Sequence, residues 1–219
     1  GGDEEPCAGI AVTVHIDDDS TPSPIDTTYV AELLVRNKLF PEGQRTADID
    51  LARIDSVLQA DPYVKASLVY FDATRRLCID LTPYTPVMHI IPEGAAAFYI
   101  SSEGNAMPAE VYAADLPLAT GFISRQFAAT RLSVMARILA EDPFWDDQIG
   151  QIFVARDSSI TLVPRVGGFC VKMGQPRSLR QKLAHLKAFY TDALPQVGWN
   201  VYKEINLEYD NQIIATRKR

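Results

Sequence analysis

The chain has 219 residues, enough for one large domain or two small ones, each with a real apolar core. Hydrophobic residues make up 47% and charged residues 22%, an ordinary globular balance that excludes disorder beyond the ends. A net charge of -7 argues against a general nucleic-acid binder, which needs a basic face to displace counterions, and gives no support to docking on an anionic membrane.

The first strong pattern is Ile10, Val12, Val14 and Ile16 alternating with Ala11, Thr13 and His15, which predicts a half-buried strand. A polar loop with Asp17-Asp18-Asp19 follows. Val30, Leu33 and Leu34 stand at helical spacing behind Asp26 or Thr27, both good N-caps. Asp48 or Asp50 then caps a second helix carrying Leu51, Ile54, Val57 and Leu58, stopped by Asp61-Pro62. Strands are expected over Val64 to Phe71 and Arg76 to Leu81, so the order to this point is β-α-α-β-β. Pro83 and Pro86 mark a domain boundary.

Beyond it the pattern is mainly β: His89 to Pro92, Ala97 to Ser101, a turn at Glu103-Gly104-Asn105, then Leu116 to Thr120. A helix from about Phe127 to Ala140 puts Leu132, Met135 and Leu139 on one face and ends before Pro143. Three short strands follow, Ile149 to Ala155, Ser159 to Val163 and Phe169 to Met173. Ser178 with Gln181 fits a capping box for a helix bearing Leu179, Leu183, Leu186 and Tyr190.

The last run, Ile205 to Thr216, reads as one strand of about twelve residues. Ile205, Leu207, Tyr209, Ile213 and Ala215 share the buried parity, with Asn211 the polar exception. Asn206, Glu208, Asp210, Gln212 and Thr216 share the wet one, with Ile214 the apolar exception. At a sheet edge such a strand offers unpaired main-chain groups to another chain; at the centre it simply closes the sheet. Pattern alone leaves both open.

Catalytic and metal motifs are not convincing. Cys7, Cys78 and Cys170 form no C-x-x-C pair and read as buried thiols, with a single bridge among them still open. His15, His89 and His185 are far apart in sequence and fall in predicted strands or on a helix. Gly167-Gly168 belongs to no phosphate-loop motif. Asp17-Asp18-Asp19 lacks the spacing and glycine of a calcium loop. Asp146 and Asp147 are read as loop or helix-end charges, and Trp145 and Trp199 as core anchors. The expectation is therefore a non-enzyme without cofactor or metal; an envelope hydrolase using Asp146, Asp147 or a histidine is the weaker reading. No stretch approaches the roughly 20 apolar residues that span a bilayer, and no signal peptide is visible. The chain opens on Gly1-Gly2-Asp3-Glu4-Glu5 without a methionine, which leaves room for an upstream targeting or anchoring segment.

The run IDLARIDSVLQADPYVKASLVYFDATRRLCIDLTPYTPV, Ile49 to Val87, resembles the polypeptide-transport-associated (POTRA) domain of FtsQ/DivIB cell-division proteins. The matching features are a helix with Ile54 and Leu58, then Pro62-Tyr63-Val64-Lys65-Ala66 entering a strand, Leu77, Ile79 and Leu81 in the next, and Pro86-Val87. Tyr84-Thr85 stands where the family usually has Glu-Arg. Further on, Tyr99-Ile100-Ser101-Ser102-Glu103-Gly104 is similar to the family's strand and D-x-x-G turn, with Ser101 in place of the aspartate. Leu116-Pro117-Leu118-Ala119-Thr120-Gly121 is similar to its LP…G segment. Asp142-Pro143-Phe144-Trp145, Gln148 to Ile152, Leu162 to Gly167, Gly198 to Tyr202 and Ile205 to Tyr209 look like a Bacteroidetes branch.

The resemblance implies an α+β fold: a POTRA-like β-α-α-β-β domain at 8–83, then a mainly antiparallel β domain with two helices at 84–219. It implies a non-catalytic divisome scaffold, the periplasmic region of a single-pass inner-membrane protein whose anchoring helix lies upstream. Its partners would be the FtsB–FtsL coiled coil, bound by strand addition to the last strand, with other divisome proteins at the POTRA-like domain. That role would control septal peptidoglycan synthesis. The implied binding residues are Tyr209, Asp210, Asn211, Gln212, Ile213, Ile214 and Ala215, with Arg156 weakly aligned to a binding arginine. The family's tryptophan beyond the strand is replaced by Arg217. The alternative is a POTRA-containing chaperone or binding module of outer-membrane protein assembly or secretion, although such proteins usually carry serial POTRA repeats and a barrel.

Overall fold

The computed structural model describes residues 2–16, 23–109, 116–209 and 212–219. Asp17, Asp18 and Asp19, like Asp210 and Asn211, lie outside these described residues. The chain divides into two units, the first ending at Thr85 and the second beginning at Pro86.

The first unit follows the expected order: β1 (Ile10–Val14), α1 (Thr27–Arg36), α2 (Leu51–Gln59), β2 (Val64–Phe71) and β3 (Leu77–Pro83). Asp26 caps α1 by accepting from Tyr29 N, and Asp50 caps α2 by accepting from Arg53 N. Asp48 instead closes a short 3-10 turn, where it pairs with Arg45 at 2.9 Å. The sheet order is β1-β3-β2, with β1 parallel and β2 antiparallel to β3. Leu77, Ile79 and Leu81 alternate along β3 and are buried with Val30, Leu34, Ile54 and Leu58 from the helices.

Asp61, in the Asp-Pro-Tyr-Val segment between α2 and β2, is a buried carboxylate at 7% exposure. The Tyr29 hydroxyl donates to its Oδ2 at 2.5 Å and Tyr63 N donates to its Oδ1 at 2.9 Å. Burial and this carboxylate both push the Tyr29 hydroxyl well above the ordinary tyrosine range, so it stays a donor. Asp61→Ala removes the carboxylate that accepts from both the Tyr29 hydroxyl and Tyr63 N and is expected to lower the first unit's stability by about 2–4 kcal/mol, measured by urea unfolding; Tyr29→Phe removes only one bond and should cost less.

The second unit holds β4 (Pro86–Pro92), β5 (Phe98–Ser101), β6 (Ala106–Pro108), β7 (Leu118–Gly121), β8 (Ile149–Val154), β9 (Ile160–Pro164), β10 (Cys170–Gly174), β11 (Tyr202–Asn206) and β12 (Ile214–Arg217). Its helices are α3 (Arg125–Phe127), which continues through a π-helical turn (Ala128–Leu132) into α4 (Ser133–Ala140), then α5 (Pro143–Asp146), α6 (Leu179–Asp192) and α7 (Leu194–Val197). The strands form one sheet in the order β12-β11-β10-β9-β8-β7-β4-β5-β6, mainly antiparallel, with parallel pairs β4–β7, β7–β8 and β10–β11.

The register lines up one apolar row across eight of these strands. Phe98, Ile90, Ala119, Ile152, Leu162, Val171, Ile205 and Ala215 stand side by side in successive pairings. All but Ala215 are buried, and Ala215 packs against the same core. Leu132, Met135 and Leu139 from the helical stretch at 125–140, and Leu183, Leu186 and Tyr190 from α6, belong to that core too. The opposite face of the sheet stays partly open, with Ile91, Phe153 and Val163 exposed.

Ser101 occupies the place where an aspartate was expected, and it does an aspartate's work. Its buried hydroxyl accepts from Glu103 N at 3.2 Å and Asn105 N at 3.1 Å. Gly104 in the same turn has φ +86°, and a Cβ there would fall 2.5 Å from Ala129 O.

Several expectations are corrected. Ile205 to Thr216 is not one strand but two, β11 and β12, paired antiparallel. The Asn206 side chain accepts from Glu208 N at 2.8 Å and turns the chain out of the sheet. Tyr209 is therefore 58% exposed instead of buried. Ser178 stands at the N-cap position of α6 as expected, but its φ is 53° and its side chain makes no capping bond, so no capping box forms. The first long helix begins two residues early, because Ser124 Oγ accepts from Phe127 N at 3.0 Å. Asp142 caps an unforeseen short helix, α5, by accepting from Phe144 N; β6 was also unforeseen. The three cysteines are free.

Candidate partner-binding edge

The edge begins with a hydrogen-bond direction. Leu207 N donates to Lys172 O at 2.8 Å, so the main chain of residues 205 and 207 faces β10. Main-chain groups of an extended strand alternate sides, so those of Glu204 and Asn206 face β12. Their partners are Thr216 and Ile214, whose main-chain groups point inward. Ala215, opposite Ile205, must then point its N–H and C=O away from the sheet.

A bulge keeps this pattern going. The register shifts between Tyr202 and Glu204, Tyr202 sits opposite Arg217, and Lys218 N donates to Val201 O at 2.9 Å. Arg217 thus also turns its main chain outward, and alternation gives Ile213 the same direction. The outward set is Ile213, Ala215 and Arg217. Among the described residues β12 is the terminal strand of the sheet, so this side of it is an edge.

Side chains dress the edge differently on its two faces. Ile213 and Ala215 pack against the core, whereas Ile214 is 40% exposed on the opposite face. There Lys172 pairs with Glu204 at 3.2 Å, and the hydrogen bond to Glu204 raises the lysine's pKa. The Arg217 guanidinium lies 6.0 Å from the Tyr202 ring centroid. Lys218 reaches back over the β9–β10 turn, since a Cβ on Gly168 would fall 2.7 Å from its Nζ.

Of the residues expected to bind a partner, Ile213, Ile214 and Ala215 lie on this edge, and Tyr209 and Gln212 are exposed in the segment entering it. Asp210 and Asn211 lie outside the described residues. Arg156 sits in the β8–β9 turn, at the same end of the sheet but with β10 and β11 between that turn and β12. Contacts bridge this distance: Gln175 Nε2 donates to Asp157 O at 2.9 Å, and a Cβ on Gly174 would meet Glu208 Cγ at 2.9 Å. Sequence reasoning missed Phe122, over whose exposed ring the Arg156 guanidinium stands at 4.2 Å. The cue was an aromatic directly after the LP…G segment.

Asp146 and Asp147, the carboxylates of the hydrolase reading, are exposed and line a cavity of about 400 Å³ with Trp145, Ile149 and Arg165. Among the described residues no group of three or more His, Cys, Asp or Glu could hold a metal ion.

A small β-α-α-β-β unit followed by a large sheet with an open terminal strand defines a protein-interaction module. A family model described as "FtsQ/DivIB, C-terminal related" matches residues 85–216, and one described as "POTRA-like domain" matches residues 6–82. No curated protein matches the chain. The first match spans more than half of the sequence, and the chain belongs to the FtsQ/DivIB family, a non-catalytic scaffold family of bacterial cell division whose members are membrane-anchored periplasmic domains. No helix among the described residues is long and apolar enough to cross a membrane.

Proposed function

We propose that this chain is the periplasmic region of a divisome scaffold that holds FtsB and FtsL by adding an FtsB segment to β12. Through that complex it helps control septal peptidoglycan synthesis. In this reading the POTRA-like part covers residues 8–83 and receives other divisome proteins, the β part covers 84–219, and a helix upstream of this region anchors it in the inner membrane. The contact comprises residues 209–215, with Arg156, held over Phe122, meeting the partner further along the same end of the sheet.

The observation that carries the reading is the outward main chain of Ile213, Ala215 and Arg217 on a terminal strand. Strand addition takes its affinity from such groups and tolerates side-chain change. Arg217 in place of the family's tryptophan is therefore compatible with it. The test is titration of the purified chain with the periplasmic part of the cognate FtsB, alone and with FtsL, followed by calorimetry. Saturable one-to-one binding is expected; no binding at partner concentrations of about 1 mM overturns the assignment, because even weak specific contacts register there.

A further inference from the structure

The outward groups of β12 are self-complementary about a two-fold axis. An axis through Ala215 would pair Ala215 with its own copy, and Ile213 with Arg217 of the second copy in both directions. Each of these positions presents an N–H and a C=O to the edge, so all three pairs close as hydrogen-bonded pairs of an antiparallel ladder. On the exposed face Ile214 would stand against Thr216 of the copy, a β-branched pair suited to a sheet. On the core face Ala215, the smallest side chain in the strand, lies at the axis where two identical residues must meet.

Charge selects the same orientation. Going along the chain, the edge runs from acidic to basic: Glu208 and Asp210 precede β12 in sequence, and Arg217, Lys218 and Arg219 end it. Antiparallel pairing sets the basic end of each copy against the acidic end of the other, whereas parallel pairing stacks like charges.

We infer that, without its partner, the chain forms a weak two-fold dimer through β12, and that a partner strand must displace the second copy. This rests on the reading of β12 as the docking edge. The short strand limits the contact. Five residues per copy, Ile213 to Arg217, bury far less than the roughly 1,200 Å² of a stable interface. The dissociation constant should be about 0.1–1 mM, weak enough for a longer partner segment to win.

Sedimentation equilibrium of the chain alone, from about 10 µM to 2 mM, tests the association. The mass should rise toward twice the monomer, and Ala215→Pro should hold it at the monomer. A cysteine-pairing experiment tests the register: Ile214→Cys and Thr216→Cys chains, mixed at about 1 mM under mild oxidation, should form a 214–216 disulfide, because non-hydrogen-bonded antiparallel pairs bring Cα atoms to about 4.5 Å. Either variant by itself should cross-link no faster than the unsubstituted chain with its native cysteines. A monomer at every concentration, or single variants that link as fast as the mixture, would overturn the dimer. Neither result touches partner binding, which the calorimetric titration reads separately.

Discussion

Ala215→Pro is expected to weaken binding of the FtsB segment about 30- to 150-fold while leaving the β domain folded. The substitution removes the outward N–H at the middle of the edge and puts a ring where the partner's main chain must approach. Losing that bond and loosening its neighbours forfeits two or three bonds of about 1 kcal/mol each, and 1.4 kcal/mol is tenfold in affinity. The fold should survive because Ala215 N–H does not take part in the β11–β12 ladder, and proline is tolerated in edge strands at such positions. A shift in melting temperature of only about 2–4 °C is expected for a cost near 1 kcal/mol. Thr216→Pro is the instructive contrast. It removes an inward N–H paired with Glu204, so it should unseat β12 and lose both stability and binding. Equal affinities for Ala215→Pro and the unsubstituted chain would remove main-chain pairing at β12 from the mechanism.

The largest expected effect on stability is at Gly121. This residue has φ +109°, and a Cβ there would fall 2.1 Å from Val154 O, a backbone atom that has no room to yield. It is fixed in place because Gly121 sits opposite Val154 in the parallel β7–β8 pair and Phe122 N donates to Val154 O at 2.9 Å. Gly121→Ala therefore adds left-side backbone strain, of about 1–3 kcal/mol, to the cost of prising two central strands apart. A total of about 4 kcal/mol or more is expected, in the range reserved for disrupted cores. Gly150→Ala in the neighbouring strand is the control. Its Cβ would meet only side-chain atoms of Arg165, the nearest at 3.2 Å, so a cost below about 1 kcal/mol is expected. Urea unfolding of the two variants measures the difference; similar midpoints would show that the close approach at Gly121 relaxes freely. Since Phe122 carries the ring beneath Arg156, Gly121→Ala should disturb that end of the sheet as well.

Much of this was readable in the residues because the deciding interactions are local. Asp26 and Asp50 announce their helices through bonds three residues away, and β3 shows its buried face by simple alternation. The register of the β sheet was not readable. β7 enters between β4 and β8 through pairings far apart in sequence, and nothing in Leu118 to Gly121 names its neighbours. The last run shows the ambiguity most clearly. Residues 208–212 are polar enough for a wet strand face or for a loop, and it is the Asn206 side chain, bonding Glu208 N, that ends β11 and takes the chain out of the sheet there. Periodicity left β12 undecided between edge and centre; the family resemblance favoured the edge, and the strand order puts it there. Ser178 misled because its pairing with Gln181 has the spelling of a capping box, while its left-handed φ of 53° takes the side chain out of use.

The edge itself can be read residue by residue through amide hydrogen exchange near 10 µM, well below the dissociation constant of about 0.1–1 mM proposed for the dimer. In the free chain Ile214 and Thr216 should be protected and Ile213, Ala215 and Arg217 should exchange quickly, an alternation that only an open edge produces. On saturation with the FtsB segment the three fast amides should slow together, with Ile214 and Thr216 changing little. Protection of Ala215 in the free monomer, or three amides that remain fast in the saturated complex, would contradict strand addition at β12.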